Sequence, residues 1–181
     1  MHIVLITTPV RINLPNYIVP VGILSIAAYL EQFGHKITVI DNAKDRKTDE
    51  EIVGKLKELK PDLIGIGGII TAYAYIVSLS NRIKKELPDI KIVLGGQVTV
   101  NNAHNCFKHM GIDYLVYGYG EIALKKIIDH LQGNLPVEEI PGIAYKNNDL
   151  IIEIPGREYF KHVDELPLPA YHLVDMEHYA R

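Results

Sequence analysis

Five short apolar runs alternate with stretches of helical spacing along the first 133 residues. They cover residues 3–6, 36–40, 63–66, 91–94 and 113–116. Runs this short and this apolar are typical of strands that helices bury on both faces of a parallel sheet. The rule of right-handed crossovers leaves few ways to connect them. We therefore predict an α/β fold, a flavodoxin-like (Rossmann-like) five-stranded parallel sheet of order 2-1-3-4-5 with helices on both faces.

Helix boundaries support the same alternation. Thr48 precedes an apolar helical pattern, and Glu51 stands three residues after Thr48. This spacing predicts a capping box. Gly34 and Gly133 stand where the first and last of these helices should end.

The C-terminal part has a different pattern. Residues 143–145 and 150–152 are apolar and flank the polar stretch 146–149, which predicts a β-hairpin. The polar, proline-containing stretch 164–169 is typical of a linker. We therefore divide the chain into an α/β domain, residues 1–135, and a hairpin and linker, residues 136–181.

Composition excludes several classes of function. With 19 basic and 22 acidic residues the chain has a formal charge of −3, which does not suit a nucleic-acid or anionic-membrane binder. The single cysteine, Cys106, excludes a disulfide framework and is expected to be a small buried hydrophobe rather than a nucleophile. The eight histidines show no metal-binding spacing, so we expect no protein metal site and no catalytic residue. The first residues do not resemble a signal peptide, and we expect a cytoplasmic location.

Four loops would meet at the carboxyl edge of such a sheet, where ligands of open α/β folds bind. They are residues 7–19, 67–73, 95–99 and 117–121, and three of them are rich in glycine. Glycine allows a ligand to approach the backbone closely, so we predict a pocket for a large flat or extended ligand. The chain has neither a dinucleotide fingerprint after its first strand nor a Walker A sequence.

The residues at this edge leave three questions open. Asp41, at the end of the second strand, either hydrogen-bonds a ligand or caps a loop. Glu121 either faces the pocket or acts only as a first-turn acid favoured by the helix dipole, and the second interpretation is preferred. Tyr117 and Tyr119 either stack on a planar ligand or cover the end of the sheet.

Taken in order, several motifs resemble one known family. They are Pro20-x-Gly22, Gly34-His35 before a strand that ends in Asp41, Gly95-Gly96, Gly118-Tyr119-Gly120-Glu121, Gly142-Ile143-Ala144-Tyr145 and Asp164-Glu165-Leu166-Pro167-x-Pro169. This series resembles the N-terminal cobalamin-binding domain of cobalamin-dependent radical S-adenosylmethionine enzymes. That group includes methyltransferases and the anaerobic magnesium-protoporphyrin cyclase.

The resemblance implies that cobalamin is the small-molecule cofactor, with its corrin ring on the carboxyl edge and its nucleotide tail between the first and third strands. The residues it implies for cofactor binding are Thr8, Pro9, Gly22, Gly67, Gly68, Ile69, Thr71, Gly95, Gly96, Gln97, Tyr117, Gly118, Tyr119, Gly120 and Glu121. The lower-ligand histidine of classical cobalamin domains has no counterpart near residues 20–22. This absence implies base-off, histidine-off binding.

The resemblance also implies a partner. A four-iron cluster and S-adenosylmethionine need a Cys-x-x-x-Cys-x-x-Cys motif, which this sequence lacks. They would belong to a C-terminal radical domain in the same polypeptide. The chain would then be a non-catalytic module that presents the corrin for methyl transfer or related radical chemistry, without a nucleic-acid or membrane partner.

Two other functions stay open at this point. Glycine-rich loops at this edge also suit a flavodoxin-like module that binds a nucleotide or sugar-nucleotide. A scaffold domain with a vestigial pocket, whose hairpin contacts a partner, is the third possibility.

Overall fold

A computed structural model describes residues 1–9, 18–100, 102–148 and 150–180 of the chain. The strands are β1 (His2–Thr7), β2 (Lys36–Ile40), β3 (Leu63–Gly67), β4 (Lys91–Gly95), β5 (Tyr114–Val116), β6 (Ile143–Asn147) and β7 (Leu150–Ile154). The helices are α1 (Val21–Glu31), α2 (Asn42–Asp45), α3 (Asp49–Leu59), α4 (Tyr73–Glu86), α5 (Ala103–His109), α6 (Gly120–Leu131) and α7 (Met176–Tyr179). None of the helices in these described ranges has the length and apolar character needed to cross a membrane.

All strands form one sheet of order β2-β1-β3-β4-β5-β6-β7. The first five strands pair in parallel, which confirms the predicted order 2-1-3-4-5 and the flavodoxin-like α/β fold. The sheet has seven strands rather than five, because the predicted hairpin pairs antiparallel with β5. Tyr114 pairs with Tyr145 and Val116 with Ile143, and all four side chains are buried. The hairpin thus covers an edge that β5 would otherwise expose.

The core lies on both faces of this sheet. Ile3 and Leu5 of β1 pack with α1 and α6, whereas Val4 and Ile6 pack with α3, α4 and α5. Alternate residues of a strand point to opposite faces. An apolar residue at each of these four positions is therefore what a strand covered on both sides requires.

Two local predictions are confirmed. Thr48 Oγ1 accepts a hydrogen bond from the Glu51 N–H at 3.3 Å, and the Glu51 carboxylate accepts one from the Thr48 N–H at 2.8 Å. These bonds complete the capping box at the start of α3, and the bonds that the Glu51 carboxylate accepts from the Thr48 N–H and hydroxyl lower the pKa of Glu51. Cys106 is fully buried in α5, and burial raises the pKa of its thiol.

The C-terminal segment after β7 returns along α1 to the end of β2. The Ala170 N–H donates to the Leu24 carbonyl at 3.0 Å, and Lys44 pairs with Asp175 at 2.9 Å. At the end of this path the Tyr179 hydroxyl donates to Asp41 Oδ2 at 2.5 Å. The predicted linker is therefore packed on the domain over residues 170–179, while the division of the chain at residues 135 and 136 stays a prediction.

The Asp41 carboxylate anchors this segment. It is buried, and its other oxygen accepts from the Thr7 hydroxyl at 2.8 Å. Thr7 Oγ1 in turn accepts from the Ala43 N–H at 2.9 Å, at the start of α2. Asp41 was expected either to hydrogen-bond a ligand or to cap a loop. The structure supports a role within the chain, because both carboxylate oxygens accept hydrogen bonds from protein hydroxyls. Burial raises the pKa of Tyr179, and the hydrogen bond to Asp41 raises it further.

Removing the Tyr179 hydroxyl should destabilise the domain. We expect Tyr179→Phe to lower the free energy of unfolding by about 1–3 kcal/mol, because a buried carboxylate loses one of its donors. Urea denaturation measures this change, and limited proteolysis reports release of the segment. Tyr171→Phe is the control, since Tyr171 is 41% exposed. Equal stability of the two variants would contradict the role given to Tyr179.

The loops after β3 and β4 cross in direct backbone contact. The Gly68 N–H donates to the Gly95 carbonyl at 3.2 Å, and the Val98 N–H donates to the Gly68 carbonyl at 3.2 Å. Gly96 has φ +89° and ψ −173°, a region that only glycine readily occupies. A Cβ at Gly96 would lie 2.5 Å from the Gly68 carbonyl oxygen. Neither loop has room to move without losing these bonds.

Gly96→Ala should therefore cost more than an ordinary glycine substitution. We expect a loss of about 3 kcal/mol or more in the free energy of unfolding, from backbone strain plus the collision with Gly68. Gly133→Ala is the matched control, because Gly133 has φ +79° but nothing within 4 Å of an added Cβ. It should lose only about 1–2 kcal/mol. Similar losses in both variants would show that the crossing of the loops is not tight.

Candidate cofactor-binding site

A cavity of about 440 Å³ opens beyond the carboxyl ends of β1, β3, β4 and β5. It lies where the chain order of the strands reverses, between β1 and β3, as expected for a ligand site in this fold. Its described lining residues are Leu5, Thr7, Thr8, Ile18, Val19, Pro20, Gly22, Ile23, Ile26, Ala43, Gly65, Ile66, Gly67, Gly68, Ile69, Val93, Gly95, Gly96, Gln97, Val116, Gly118, Tyr119, Gly120, Glu121 and Leu124.

Glycines shape this cavity in two ways. At Gly67 and Gly68 an added Cβ would lie 2.9 Å from Ile23 Cδ1 and 2.6 Å from Ile76 Cδ1, so these glycines permit close helix packing. At Gly22 and Gly95 an added Cβ would meet nothing within 4 Å. The second pair therefore exposes backbone to open space, and a side chain there would occupy volume available to a ligand.

Threonine hydroxyls at the cavity wall bond within the protein. Thr8 Oγ1 donates to the Gly67 carbonyl at 2.9 Å, across the gap between β1 and β3. Thr7 Oγ1 donates to Asp41, as described above. Both threonines fix the relation between neighbouring loops, and the wall that remains for a ligand is mostly apolar.

Glu121 is the charged residue among the described lining residues. It stands in the first turn of α6 and is only 6% exposed. Its Oε1 accepts a hydrogen bond from the Ser25 hydroxyl on α1 at 2.7 Å. Glu121 therefore lines the cavity from the first turn of α6, and the preferred interpretation of it as only a first-turn acid was wrong. Burial and the Glu121 charge together raise the pKa of Tyr29.

The structure brings twelve of the fifteen predicted site residues around the cavity. They are Thr8, Gly22, Gly67, Gly68, Ile69, Gly95, Gly96, Gln97, Gly118, Tyr119, Gly120 and Glu121. Their part in binding a cofactor stays a prediction.

Three predicted residues do not line the cavity. Tyr117 donates its hydroxyl to Glu153 on β7 at 2.6 Å, so its ring covers the sheet end rather than the cavity. Thr71 is exposed in a short 3-10 turn before α4, and Pro9 is half-buried outside the lining.

Tyr119 is 64% exposed at the cavity rim, with its ring edge-on to Tyr159 at 5.7 Å between centroids.

Sequence reasoning missed the apolar wall. Ile23 and Ile26 of α1, Leu124 of α6, Val93 and Val116 line the cavity. Apolar residues at helical or strand spacing are expected to belong to the core. One signal was available: α1 is apolar on almost every face, which exceeds what a helix covering one face of a sheet needs.

The residues present fit a large ligand that is held mainly by van der Waals contact, as the corrinoid that the resemblance implies would be in this cavity. Open space at Gly22 and Gly95 and the apolar wall provide van der Waals contact with a ligand rather than charged bonds. No histidine is among the described lining residues. Within the described ranges, no group of three His, Cys, Asp or Glu residues is placed to hold a metal ion.

Comparison with known proteins supports this interpretation. The chain is 28% identical over 161 residues to the uncharacterized methyltransferase PH0819 of Pyrococcus horikoshii, covering 88% of this chain and 35% of that protein. It is 30% identical over 164 residues to the anaerobic magnesium-protoporphyrin IX monomethyl ester cyclase of Synechocystis, covering 89% and 33%. The chain thus spans about a third of the length of these relatives.

A solved structure of the cobalamin-dependent S-adenosylmethionine radical enzyme OxsB, with aqua-cobalamin and S-adenosylmethionine bound, superposes with a TM-score of 0.85 at 18% identity. It covers 99% of this chain and 25% of that one. The radical S-adenosylmethionine methyltransferase TsrM of Kitasatospora setae gives a TM-score of 0.69 at 21% identity, covering 84% and 30%. These likenesses show the fold.

The model of the B12 binding domain family matches residues 7–128, more than half of the 181 residues. This match confirms the family that the motifs indicated, and it confirms cobalamin as the cofactor class of the domain. The chain therefore belongs to the B12-binding domain family, and its fold resembles the corresponding domain of cobalamin-dependent radical S-adenosylmethionine enzymes.

Proposed function

We propose that this chain is the cobalamin-binding module of a cytoplasmic radical S-adenosylmethionine enzyme. It holds the cofactor and presents it to a radical domain of the same polypeptide, for methyl transfer or related radical chemistry. By itself it catalyses nothing. The observation that carries the proposal is an apolar, glycine-lined cavity at the strand-order reversal of a chain that belongs to the B12-binding family.

The cavity and its rim suit different parts of such a cofactor. A complete corrinoid is larger than a cavity of about 440 Å³, so only part of it enters: the nucleotide tail beside Gly67, Gly68, Gly95 and Gly96, and an edge of the ring beside residues 118–121. The ring then covers the rim, where Ile18 and Tyr119 are 68% and 64% exposed. Large exposed apolar side chains beside a cavity are typical of a surface that another group covers.

The cobalt has no evident protein ligand. The sequence has no histidine between His2 and His35, which includes the whole loop after β1 and the start of α1. We therefore propose base-off, histidine-off binding. When bound, cobalamin supplies the cobalt that carries the methyl group. The residues of this chain bind and orient it and exclude water from its tail.

The proposed partner is a radical domain, which would bind the four-iron cluster that this chain cannot hold. Cys106 alone cannot hold a four-iron cluster, and it is buried in α5. The cluster and S-adenosylmethionine therefore belong to a radical domain in cis. OxsB and TsrM, whose structures resemble this chain over part of their length, are named as radical S-adenosylmethionine proteins.

Nucleotide binding has less support. Glu121 is acidic, and neither Lys nor Arg occurs among the described residues that line the cavity. A polyphosphate would bring several negative charges beside Glu121, without a lysine or arginine among the described lining residues to offset them.

Incubation with hydroxocobalamin followed by desalting tests the proposal. We expect stoichiometric co-elution of corrinoid with a base-off absorption spectrum. After reduction, the electron paramagnetic resonance signal should show no nitrogen hyperfine splitting from a lower ligand, since both the base and histidine are off the cobalt. A folded protein that elutes colourless would contradict the proposal, and nitrogen splitting would contradict the ligation.

A leucine at Gly22 should block binding without disturbing the fold. An added Cβ meets nothing within 4 Å at Gly22, which lines the cavity, or at Gly54, which is exposed on α3. Both glycines are helical, Gly22 in the first turn of α1 and Gly54 within α3, so leucine should not reduce helix propensity at either position. We expect Gly22→Leu to weaken cobalamin binding at least about tenfold, by occupying ligand volume. Gly54→Leu should bind as the wild type does, and equal binding by both variants would argue against this cavity as the site.

A further inference from the structure

The buried carboxylate of Glu121 gives the cavity a chemical preference that its apolar wall cannot. We infer that Glu121 contacts one peripheral side chain of the corrin ring, accepts an amide at that position and rejects a carboxylate there. This inference rests on the proposed function and adds to it the class of corrinoid that the site accepts.

Position and burial give Glu121 this role. It is 6% exposed and lines the cavity together with Gly120, Ile26 and Leu124. An added Cβ at Gly120 would lie 2.5 Å from Ile26 Cδ1, so α6 packs tightly on α1 here. Across this close contact, the hydrogen bond from Ser25 ties the Glu121 carboxylate to α1.

The hydrogen bonding of Glu121 leaves capacity for a ligand. An ionised carboxylate has two oxygens and about four acceptor positions. The Ser25 hydroxyl uses one position on Oε1, at 2.7 Å, and holds the side chain in place. A primary amide has two N–H donors, and its hydrogen bond to a carboxylate is charge-assisted and stronger than a neutral one.

Glu121 also disfavours the binding of anions at the N-terminus of α6, which would otherwise attract them. α6 has twelve residues, and its first turn faces the cavity with the partial positive charge of a helix N-terminus. Glu121 stands in this turn and offsets that charge. A ligand carboxylate placed beside Glu121 would meet a like charge in apolar surroundings, where electrostatic energies are large.

Nearby cations do not reverse this preference. Arg157 is exposed, and its Cδ approaches the position of a Gly118 Cβ at 3.4 Å without lining the cavity. Lys125, one turn further along α6, pairs with Asp129 at 2.6 Å and lies over the Phe33 ring. Tyr29, the other titratable group that senses Glu121, has its pKa raised and is neutral at physiological pH.

Binding of aquacobalamin and of its monocarboxylate derivatives, in each of which one peripheral amide is hydrolysed to the acid, tests the inference. Absorbance titrations at neutral pH give the dissociation constant of each for the wild type, Glu121→Gln and Glu139→Gln. Glutamine is close in shape to glutamate and can still accept the Ser25 bond. Glu139 is an exposed glutamate outside the cavity lining, so Glu139→Gln is the matched control for loss of charge.

We expect the wild type to bind aquacobalamin at least about tenfold more tightly than one of the acid isomers, because only one peripheral position faces Glu121. In Glu121→Gln this ratio should fall at least about fivefold, while Glu139→Gln should keep it. A merely structural role for Glu121 would weaken all corrinoids alike and leave the ratio unchanged. That result, or a wild type that binds all isomers equally, would overturn the inference. Failure of the folded wild type to bind aquacobalamin would overturn the proposed function, and the inference with it.

Discussion

The parallel register of the central strands is the constraint on which the site depends. Thr7 pairs with Gly67, and Gly67 pairs with Gly95, so three strands end in one row at the carboxyl edge. Two of the three positions in this row are glycine. The loops beyond it can therefore cross in backbone contact, as Gly96 does with Gly68, and still leave a cavity beside β1. A slip of one residue in any pair would break this row and turn buried side chains to the opposite face.

Local patterns were sufficient for much of this architecture. Short apolar runs and helical spacing predicted the order of the five parallel strands, and Thr48 with Glu51 predicted a capping box that the structure contains. Glycine-rich loops predicted the position of the cavity, because strand ends in such a sheet meet at one edge. Each of these predictions depended on residues close together in sequence or on a general rule of topology.

What sequence could not predict depends on contacts between distant residues. The hairpin was expected, but its pairing with β5 follows from complementary buried faces that meet only in the folded chain. Tyr117 lies next to a glycine of the cavity loop, yet its hydroxyl bonds to Glu153, 36 positions away. For Glu121 the dipole and pocket roles were treated as alternatives. The structure shows that one side chain fills both, since the first turn of α6 is itself a wall of the cavity.

The bond between Tyr179 and Asp41 connects the C-terminal segment to the wall of the cavity. Three consecutive hydrogen bonds lead from Tyr179 to Asp41, from Asp41 to Thr7, and from Thr7 to the Ala43 N–H. Thr7 and Ala43 both belong to the cavity wall. The packing of the C-terminal segment and the position of these two wall residues therefore depend on the same three bonds.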